Sequence, residues 1–256
     1  MKQLFTLFAA AFLAFAPAVA ANTKEPEAVR METKSYSLNH FDGLEISWIY
    51  NVNLVQSPDW KVEVEAPDFV MPYLQVKVRG DRLVLNVSGM PGDVRKKMER
   101  GNYKVNANVA MPELTRVEMS GASKLLADGD FKTGSFSLEL SGATSVKGLQ
   151  MTSTFADIEC SGASKFQMTG SLKEIKMKGA LGAVRMSGSG AAKFDLTDCP
   201  ANDVWMELSG ASSARVVALD KLGVHLSGGS SCHYKAGEHL KITETDVDRG
   251  ASLRKL

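Results

Sequence analysis

Four glutamates recur at the same position of a repeated phrase, two residues before its first serine: Glu118, Glu139, Glu159 and Glu207. Carboxylates at one position of successive strands stack into a column on one exterior face, where they bind cations or repel like-charged strands. A solvated strand face balanced by Lys124, Lys165 and Lys176 explains the same pattern, and we favour it. The four glutamates and Trp205, whose indole is expected to point outward, are the candidate contacts for a surface ligand.

Catalytic and metal-binding residues show no comparable pattern. Polysaccharide lyases and hydrolases need paired carboxylates on one face, or a calcium-bound carboxylate cluster beside a basic side chain. The phrase Asp128-Gly129-Asp130 is more typical of a β-turn than of a calcium loop. The G-x-S-x-G turn of serine hydrolases is absent, and the histidines lack the spacing of a zinc site. The sequence therefore predicts no enzyme activity, no catalytic residue, no cofactor and no metal.

The repeated phrase is SGAS or a close variant, and it organises the second half of the chain. Its copies begin at Ser120, Ser141, Ser161, Ser187, Ser209 and Ser227, and a frayed copy begins at Arg249. A spacing near about 21 residues is typical of repeat architectures. Apolar residues alternate with polar ones before each copy, as at Phe136, Leu138 and Leu140, which indicates half-buried strands. We predict a stack of similar β units.

Glycine follows the first serine in every copy. We interpret Gly121, Gly142, Gly162, Gly188, Gly210 and Gly228 as structural corners, where the chain adopts a positive φ angle or approaches another backbone closely. The serine is expected to line the stack, and the alanine to fill the inside of the bend. Leucine-rich repeats would require an asparagine ladder, which this chain lacks, so we favour a right-handed parallel β-helix. The longest interval holds an extra phrase, Met177 to Ala180, which predicts an augmented or split rung.

Four segments follow from these patterns. Residues 1–20 have the positive start, apolar core and small-x-small end of a signal peptide. Residues 21–35 form a polar tail, residues 36–111 a β-rich region that caps the stack, and residues 112–256 the SGAS repeats. The cap is either a small β-sandwich or the first irregular rungs. Its charged stretch from Pro91 to Arg100 is expected to be an exposed excursion.

Composition is that of an exported globular protein. The 256 residues are 44% apolar and 23% charged, with a net charge of +1. No basic run is interleaved with aromatics, so nucleic acid is not an expected partner, and no later segment is apolar enough to cross a membrane. The final location is the periplasm, the cell surface or the medium. Cys160 is expected to be a small buried hydrophobe, and a disulfide between Cys199 and Cys232 is the less favoured alternative to unpaired thiols.

The mature chain resembles a known bacterial family. The opening Phe41-Asp42-Gly43-Leu44-Glu45-Ile46, the hairpin ending in Leu83-Val84-Leu85 and the SGAS phrases are similar to those of the "putative auto-transporter adhesin, head GIN domain" family, abundant in Bacteroidetes. The resemblance covers roughly Tyr36 to the C-terminus. It implies an exported all-β protein with β-helical repeats and a role in adhesion. The chain has no Gly-Ile-Asn tripeptide, so the resemblance transfers no binding residues.

Three functions from different classes fit these observations. The favoured one is a noncatalytic exported binding protein, an adhesin whose partner is a glycan or a protein of a host or cell surface. The alternatives are a polysaccharide-acting β-helix enzyme and a structural envelope component that assembles with itself as a homo-oligomer. A clustered site on one exterior face would favour the enzyme, and association through the ends of the stack would favour the structural component.

Overall fold

The computed structural model describes residues 29–171 and 182–256. Within these ranges the chain has an all-β fold, in which 19 strands belong to one nearly closed, barrel-like sheet. The prediction of an all-β protein is confirmed. The predicted signal peptide, residues 1–20, lies outside the described residues, as do the first part of the polar tail and the phrase from Met177 to Ala180.

Seven strands precede the first repeat. They are β1 (Met31–Tyr36), β2 (Gly43–Ile46), β3 (Tyr50–Gln56), β4 (Lys61–Pro67), β5 (Leu74–Arg79), β6 (Arg82–Val87) and β7 (Val105–Met111). A single 3₁₀ turn, Met71–Tyr73, follows β4. Gly80 and Asp81 connect β5 to β6, and the φ angle of 64° at Gly80 suits the tight hairpin that the two flanking apolar runs predict.

These strands belong to the same sheet as the repeats. β2 pairs in parallel with β6 and with the first repeat strand, β8 (Arg116–Met119). β3 pairs in the same way with β7 and with β9 (Lys124–Asp128). β4 is antiparallel to β1 and β7, and β5 is antiparallel to β6. The region is thus continuous with the repeats, and its antiparallel strands β4 and β5 extend the sheet beyond β7 and β6.

The segment predicted as an exposed excursion is a helix, α1 (Gly92–Arg100). The stretch is mostly exposed, as predicted, but the helix was missed: Val94 and Met98 lie one turn apart, so both side chains reach the same face. Met98 is buried in the core, and Val94 packs against that core. An acidic residue in the first turn and basic residues in the last turn also favour the helix through its dipole.

The remaining strands come from the repeats. They are β10 (Asp130–Leu140), β11 (Ser145–Cys160), β12 (Lys165–Ser171), β13 (Ala183–Gly188), β14 (Lys193–Asp198), β15 (Ala201–Leu208), β16 (Ser213–Leu226), β17 (Ser231–Ala236), β18 (Lys241–Val247) and β19 (Ser252–Lys255). Successive strands pair in parallel in two series. The first series contains β8, β10, β11, β13, β15, β16 and β18. The second contains β9, β11, β12, β14, β16, β17 and β19, so the long strands β11 and β16 contribute to both.

Equivalent apolar residues of successive strands stack in register to form the core. One row of the first series contains Leu138, Ile158, Met186, Met206 and Val224, each no more than 3% exposed. The alternate residues point outward, as the period of two predicts. Because each buried row covers the next, removal of apolar area from water stabilises the whole array at roughly 25 cal/mol per Å².

Corner glycines stack on one another between the two series. The φ angles are 76° at Gly121, 74° at Gly142, 68° at Gly162, 66° at Gly210 and 65° at Gly228. The Ala163 N–H donates to the Gly142 carbonyl oxygen at 2.8 Å, and the neighbouring corners are joined in the same way. A Cβ atom on Gly162 would lie 2.7 Å from that oxygen, which is too close for a real side chain. Trp48, with a φ angle of 74°, occupies the equivalent place before Gly121.

Gly188 is not a corner, contrary to the sequence interpretation. It lies buried in β13, in register between Cys160 and Leu208. The corner of this repeat is Gly190, with a φ angle of 72°. The Ser-Gly-Ser-Gly sequence offers two serine–glycine pairs, and the second pair makes the turn. A Cβ atom on Gly188 would lie 2.6 Å from the Phe194 ring, so glycine here makes room for a core side chain.

The last residue of the phrase, and not the alanine, fills the inside of the bend. The side chains of Ser123, Thr144, Ser164, Ala192, Ser212 and Ser230 are buried, whereas the preceding alanines Ala122, Ala143 and Ala163 are exposed. The expectation for the alanine was therefore wrong. In two of the copies a hydroxyl also satisfies the bend: Ser123 Oγ donates to the Ser120 carbonyl oxygen at 2.9 Å, and Ser164 Oγ donates to the Ser161 carbonyl oxygen at 2.6 Å.

Candidate functional site

The predicted glutamate column lies on the outer surface of the first series, and we call it the glutamate face (Glu118, Glu139, Glu159 and Glu207). Glu118, Glu139 and Glu159 stand opposite one another on adjacent strands. Ser187 separates Glu159 from Glu207, so the column is interrupted there. Three of the four predicted contacts are therefore direct neighbours, and the fourth lies one strand further along.

The negative charges of the glutamates are neutralised by residues other than the lysines that the sequence suggested. The Glu118 carboxylate accepts from Arg82 at 2.8 Å and pairs with Arg116 at 2.6 Å. Lys124 and Lys165, which were expected to balance this column, lie in the second series instead. Lys176 lies outside the described residues. The ladder is thus neutralised mainly at its N-terminal end, where the arginines of β6 and β8 reach it.

Trp205 lies on the outer surface of the first series, as predicted from its alternation. It is 38% exposed and stands in register between Arg185 and Gly223. A Cβ atom on Gly223 would lie 2.8 Å from Cδ1 of Trp205, which shows that the indole lies directly over this glycine. The missing side chain at Gly223 therefore provides the surface on which the aromatic ring rests.

A groove of about 180 Å³ surrounds this ring, and we call it the Trp205 groove; its lining includes Arg185, Trp205, Glu207, Gly223, His225 and Glu244. His225 Nε2 lies 3.2 Å from Glu244 Oε1, and His225 Nδ1 lies 3.6 Å from Asp246 Oδ2. The groove therefore combines an exposed aromatic ring with a guanidinium group, an imidazole and carboxylates. Such a combination stacks on an apolar ring face and bonds to hydroxyl groups at the same time.

Three large aromatic residues of the N-terminal region do not form such a platform. Tyr50 is fully buried, its hydroxyl donates to the Asn86 carbonyl oxygen at 3.2 Å, and burial raises the pKa of its phenol. The Trp60 indole N–H donates to the Phe41 carbonyl oxygen at 2.8 Å. Trp48 lies at the first corner of the array, partly buried against the core.

The buried cysteines are expected to have unreactive thiols. Cys160 and Cys232 are buried thiols, and burial raises the pKa of each to about 12. A thiol of that pKa stays protonated near neutral pH and is a poor nucleophile and metal ligand. Because Cys232 is a free thiol, the alternative bridge to Cys199 is not formed.

Metal ligands do not converge in the described part of the chain: residues 29–171 and 182–256 contain no group of three or more His, Cys, Asp or Glu placed to hold an ion. Asp128, Gly129 and Asp130 form the bend between β9 and β10. The Asp130 carboxylate lies 3.4 Å from Lys132 Nζ, so the bend already supplies its own counter-charge. The turn interpretation describes this phrase better than the calcium alternative.

A surface that the sequence reasoning missed lies on the second series, across the corner glycines from the glutamate face. We call it the lysine face, and it consists of Lys147, Lys165, Lys193, Arg215 and His233. These residues line a shallow groove of about 410 Å³ together with serine hydroxyls. The signal was present in the sequence, since lysine directly follows the phrase at Lys124, Lys165 and Lys193.

The fold and its outward surfaces define an all-β protein that presents long strand faces. The described residues contain no helix of the length and hydropathy needed to cross a bilayer. The chain belongs to the family described as "Putative auto-transporter adhesin, head GIN domain", which matches residues 40–237. The resemblance inferred from the N-terminal strands and the SGAS phrases is confirmed.

Solved structures with a similar fold come from Bacteroidetes. A "putative adhesin" from Bacteroides fragilis aligns with a TM-score of 0.72 at 16% identity, over 89% of this chain and 97% of that one. A "putative adhesin" from Parabacteroides distasonis gives 0.62 at 15% identity, over 90% and 98%. A "putative lipid binding protein" from the same species gives 0.60 at 15% identity, over 88% and 96%. Comparison with curated proteins gave no match.

Proposed function

We propose that this protein is a noncatalytic, exported binding protein that acts as an adhesin of the bacterial cell envelope or surface. Its family and the names of its structural neighbours support this role. The observation that carries the proposal is the Trp205 groove, where an exposed indole rests on Gly223 beside Arg185, Glu207 and His225. The proposed ligand is a glycan, presented on a polysaccharide or on a surface protein, whose apolar ring face stacks on Trp205.

Regular winding of the strands is proposed for the surface that carries this groove. The strands of each series pair in parallel with the next repeat, and the corner glycines stack between the series. From these pairings we infer a right-handed parallel β-helix, since right-handed connections dominate among parallel strands. A crystal structure of the mature protein should place Glu139 between Glu118 and Glu159. Any other strand order would contradict the winding.

Export is proposed from the signal segment. Removal of residues 1–20 leaves a mature chain that begins at Ala21. The domain division into tail (21–35), cap (36–111) and repeats (112–256) accompanies this proposal. Intact-mass measurement of the protein from a periplasmic or surface fraction should give the mass of residues 21–256. A mass that includes Met1 in that fraction would contradict processing at this site.

Glycan-array binding tests the proposed adhesin function. The mature protein should be retained by a subset of glycans, and Trp205→Ala should weaken this retention by about 5- to 10-fold because the stacking surface is lost. Trp205→Phe retains an aromatic ring and should keep most of the affinity. Gly223→Ala places a Cβ atom where the indole rests, so it should weaken binding although every polar and aromatic side chain of the groove is kept. Equal binding by all four proteins would overturn the proposal.

The C-terminal end of the array favours self-assembly as a second candidate function. Within the described residues, β18 pairs only with β16 and β19 only with β17, so one edge of each strand is open. Ile242 is 48% exposed on β18, and Leu256 is 61% exposed beyond β19. An open edge with exposed apolar side chains recruits other strands. Sedimentation over a wide concentration range should then show association that Ile242→Lys abolishes, and a monomer at every concentration would exclude it.

A further inference from the structure

The lysine face carries positive charges that no carboxylate of residues 29–171 and 182–256 pairs with. Lys147, Lys165, Lys193 and Arg215 have no ion-pair partner among the residues that the structure describes, and all four are exposed. Arg82 and Arg116, beside Glu118 of the glutamate face, are in contrast paired with Glu45 and Glu118. Unpaired cations on one surface create a positive potential that attracts anions.

Among the described residues that line this groove, one carries a carboxylate, and it bonds to its own strand. Asp195 lies in register with Arg215, but its Oδ1 atom accepts from Thr197 N at 3.2 Å and from Thr197 Oγ1 at 2.7 Å. The carboxylate is thus held back against its own strand. Ser145, Ser213 and Ser231 place hydroxyl groups in the same groove, where they can bond to an anion or a sugar hydroxyl.

Strand register makes the positive surface linear. Lys165 and Lys193 occupy one column on adjacent strands, and Arg215 and His233 occupy the neighbouring column on the next two strands. Lys124 and Arg254 extend these columns at either end. Seven strands, from β9 to β19, are crossed at about 4.8 Å each, so the charged line is roughly 29 Å long. Its length suits a chain of repeated anionic units better than one small anion.

The floor of the groove argues against insertion into a lipid bilayer. The apolar residues beneath the cations, Val146, Phe194 and Ala214, are all buried, at 1%, 3% and 1% exposure. Membrane-surface proteins place apolar side chains outward beside their basic residues, so that these can enter the acyl region. Leu126 on β9, in register with Lys147, is exposed at 57% outside this lining, whereas the groove itself presents charged and hydroxyl groups, which suit a hydrated polymer.

The geometry points to a second binding site on the lysine face, for an anionic polysaccharide that lies across the strands with its carboxylate or sulfate groups along the two columns of cations. This site is separate from the Trp205 groove, since the two lie on different series of strands. Binding is electrostatic and therefore weakens with salt, as counterions released from the polymer return.

Affinity electrophoresis and titration with polygalacturonate test this site, because that polymer is linear and carries one carboxylate per sugar. The mature protein should be retained at about 50 mM salt and released at about 200 mM salt. Lys165→Gln with Lys193→Gln should weaken binding roughly 5- to 30-fold. The matched control is Lys77→Gln with Lys96→Gln, which removes the same charge from exposed positions of the cap and should change binding less than twofold.

Further arms distinguish this site from the Trp205 groove, from a net-charge effect and from a membrane surface. Trp205→Ala should bind polygalacturonate as the unchanged protein does. If the lysine-face variants do not weaken polymer binding, the proposed adhesin function still stands. If Trp205→Ala does not weaken glycan binding, the proposed site on the lysine face still stands. Equal weakening by both double variants would overturn the site, because net charge alone would then account for binding. Binding to phosphatidylglycerol vesicles without binding to the polymer would assign the face to a membrane. Binding of monomeric galacturonate as tight as that of the polymer would refute the linear arrangement, and equal retention by duplex DNA would show an unselective polyanion surface.

Discussion

Replacement of Gly162 by valine is expected to destabilise the protein by about 2–4 kcal/mol. Valine at a φ angle of 68° costs about 1–3 kcal/mol, since β-branched residues rarely adopt that conformation. Its Cβ atom would also lie 2.7 Å from the Gly142 carbonyl oxygen and displace it. That oxygen accepts from the Ala163 N–H at 2.8 Å, and weakening this bond adds about 0.5–1.5 kcal/mol.

Two further glycines separate these contributions. Gly80 has a φ angle of 64°, but no atom lies within 4 Å of the place where its Cβ would stand, so Gly80→Val measures the conformational cost alone. Gly134 has neither a positive φ angle nor a close neighbour, so Gly134→Val should change stability by less than about 0.5 kcal/mol. Thermal unfolding followed by circular dichroism compares the three variants with the unchanged protein.

The expected order of melting temperatures follows from these costs. For a domain of this size each kcal/mol lowers Tm by roughly 2–4 °C, so Gly162→Val should melt about 5–15 °C below the unchanged protein. Gly80→Val should lie between Gly162→Val and Gly134→Val. A melting temperature of Gly162→Val equal to that of Gly134→Val would refute the corner geometry, and one equal to that of Gly80→Val would refute the contact between stacked corners.

Three other predictions concern the buried groups of the array. Met98→Ala should lower the free energy of unfolding, measured by urea titration, by about 2–4 kcal/mol, because Met98 anchors α1 in the core. A change below about 1 kcal/mol would contradict that anchoring. Lys221→Met should lower the free energy of unfolding by about 1–3 kcal/mol, because the buried Asp203 carboxylate, 3.0 Å from Lys221 Nζ, loses its partner. Adding Asp203→Asn should restore part of this free energy. No restoration would refute the pairing. Cys160 and Cys232 should resist iodoacetamide at about pH 9 in the folded state, and rapid labelling of the native protein would contradict their burial. The free energy of unfolding should fall as pH rises from about 9 towards about 12, because these thiols ionise at lower pH in the unfolded chain than in the folded one.

Strands and most corners were predictable from the sequence because each has a strictly local cause. The period of two before each phrase arises because alternate side chains such as Leu138 and Leu140 must face the core. Gly162 and its equivalents were recognisable because only glycine accepts both the positive φ angle and the approach of the Gly142 backbone. The exposure of Trp205 followed from the same alternation.

Features that depend on register could not be predicted in this way. Lys165 and Lys193 are 28 positions apart in the sequence but adjacent in the sheet, because one repeat is longer than the others. The choice of Gly190 over Gly188 as a corner depended on the space needed by the Phe194 ring. The Trp205 groove likewise required Gly223, a residue whose importance appears only when the two strands are side by side.

The most direct test of the proposed function is the response of the Trp205 indole to a bound glycan. The chain has three tryptophans, so its NMR spectrum contains three indole N–H signals, and loss of one in Trp205→Phe assigns it. Titration with a glycan retained on the array should shift the Trp205 signal in proportion to occupancy and leave those of Trp48 and Trp60 in place. Saturable glycan binding with no change in the Trp205 signal would contradict the proposed stacking.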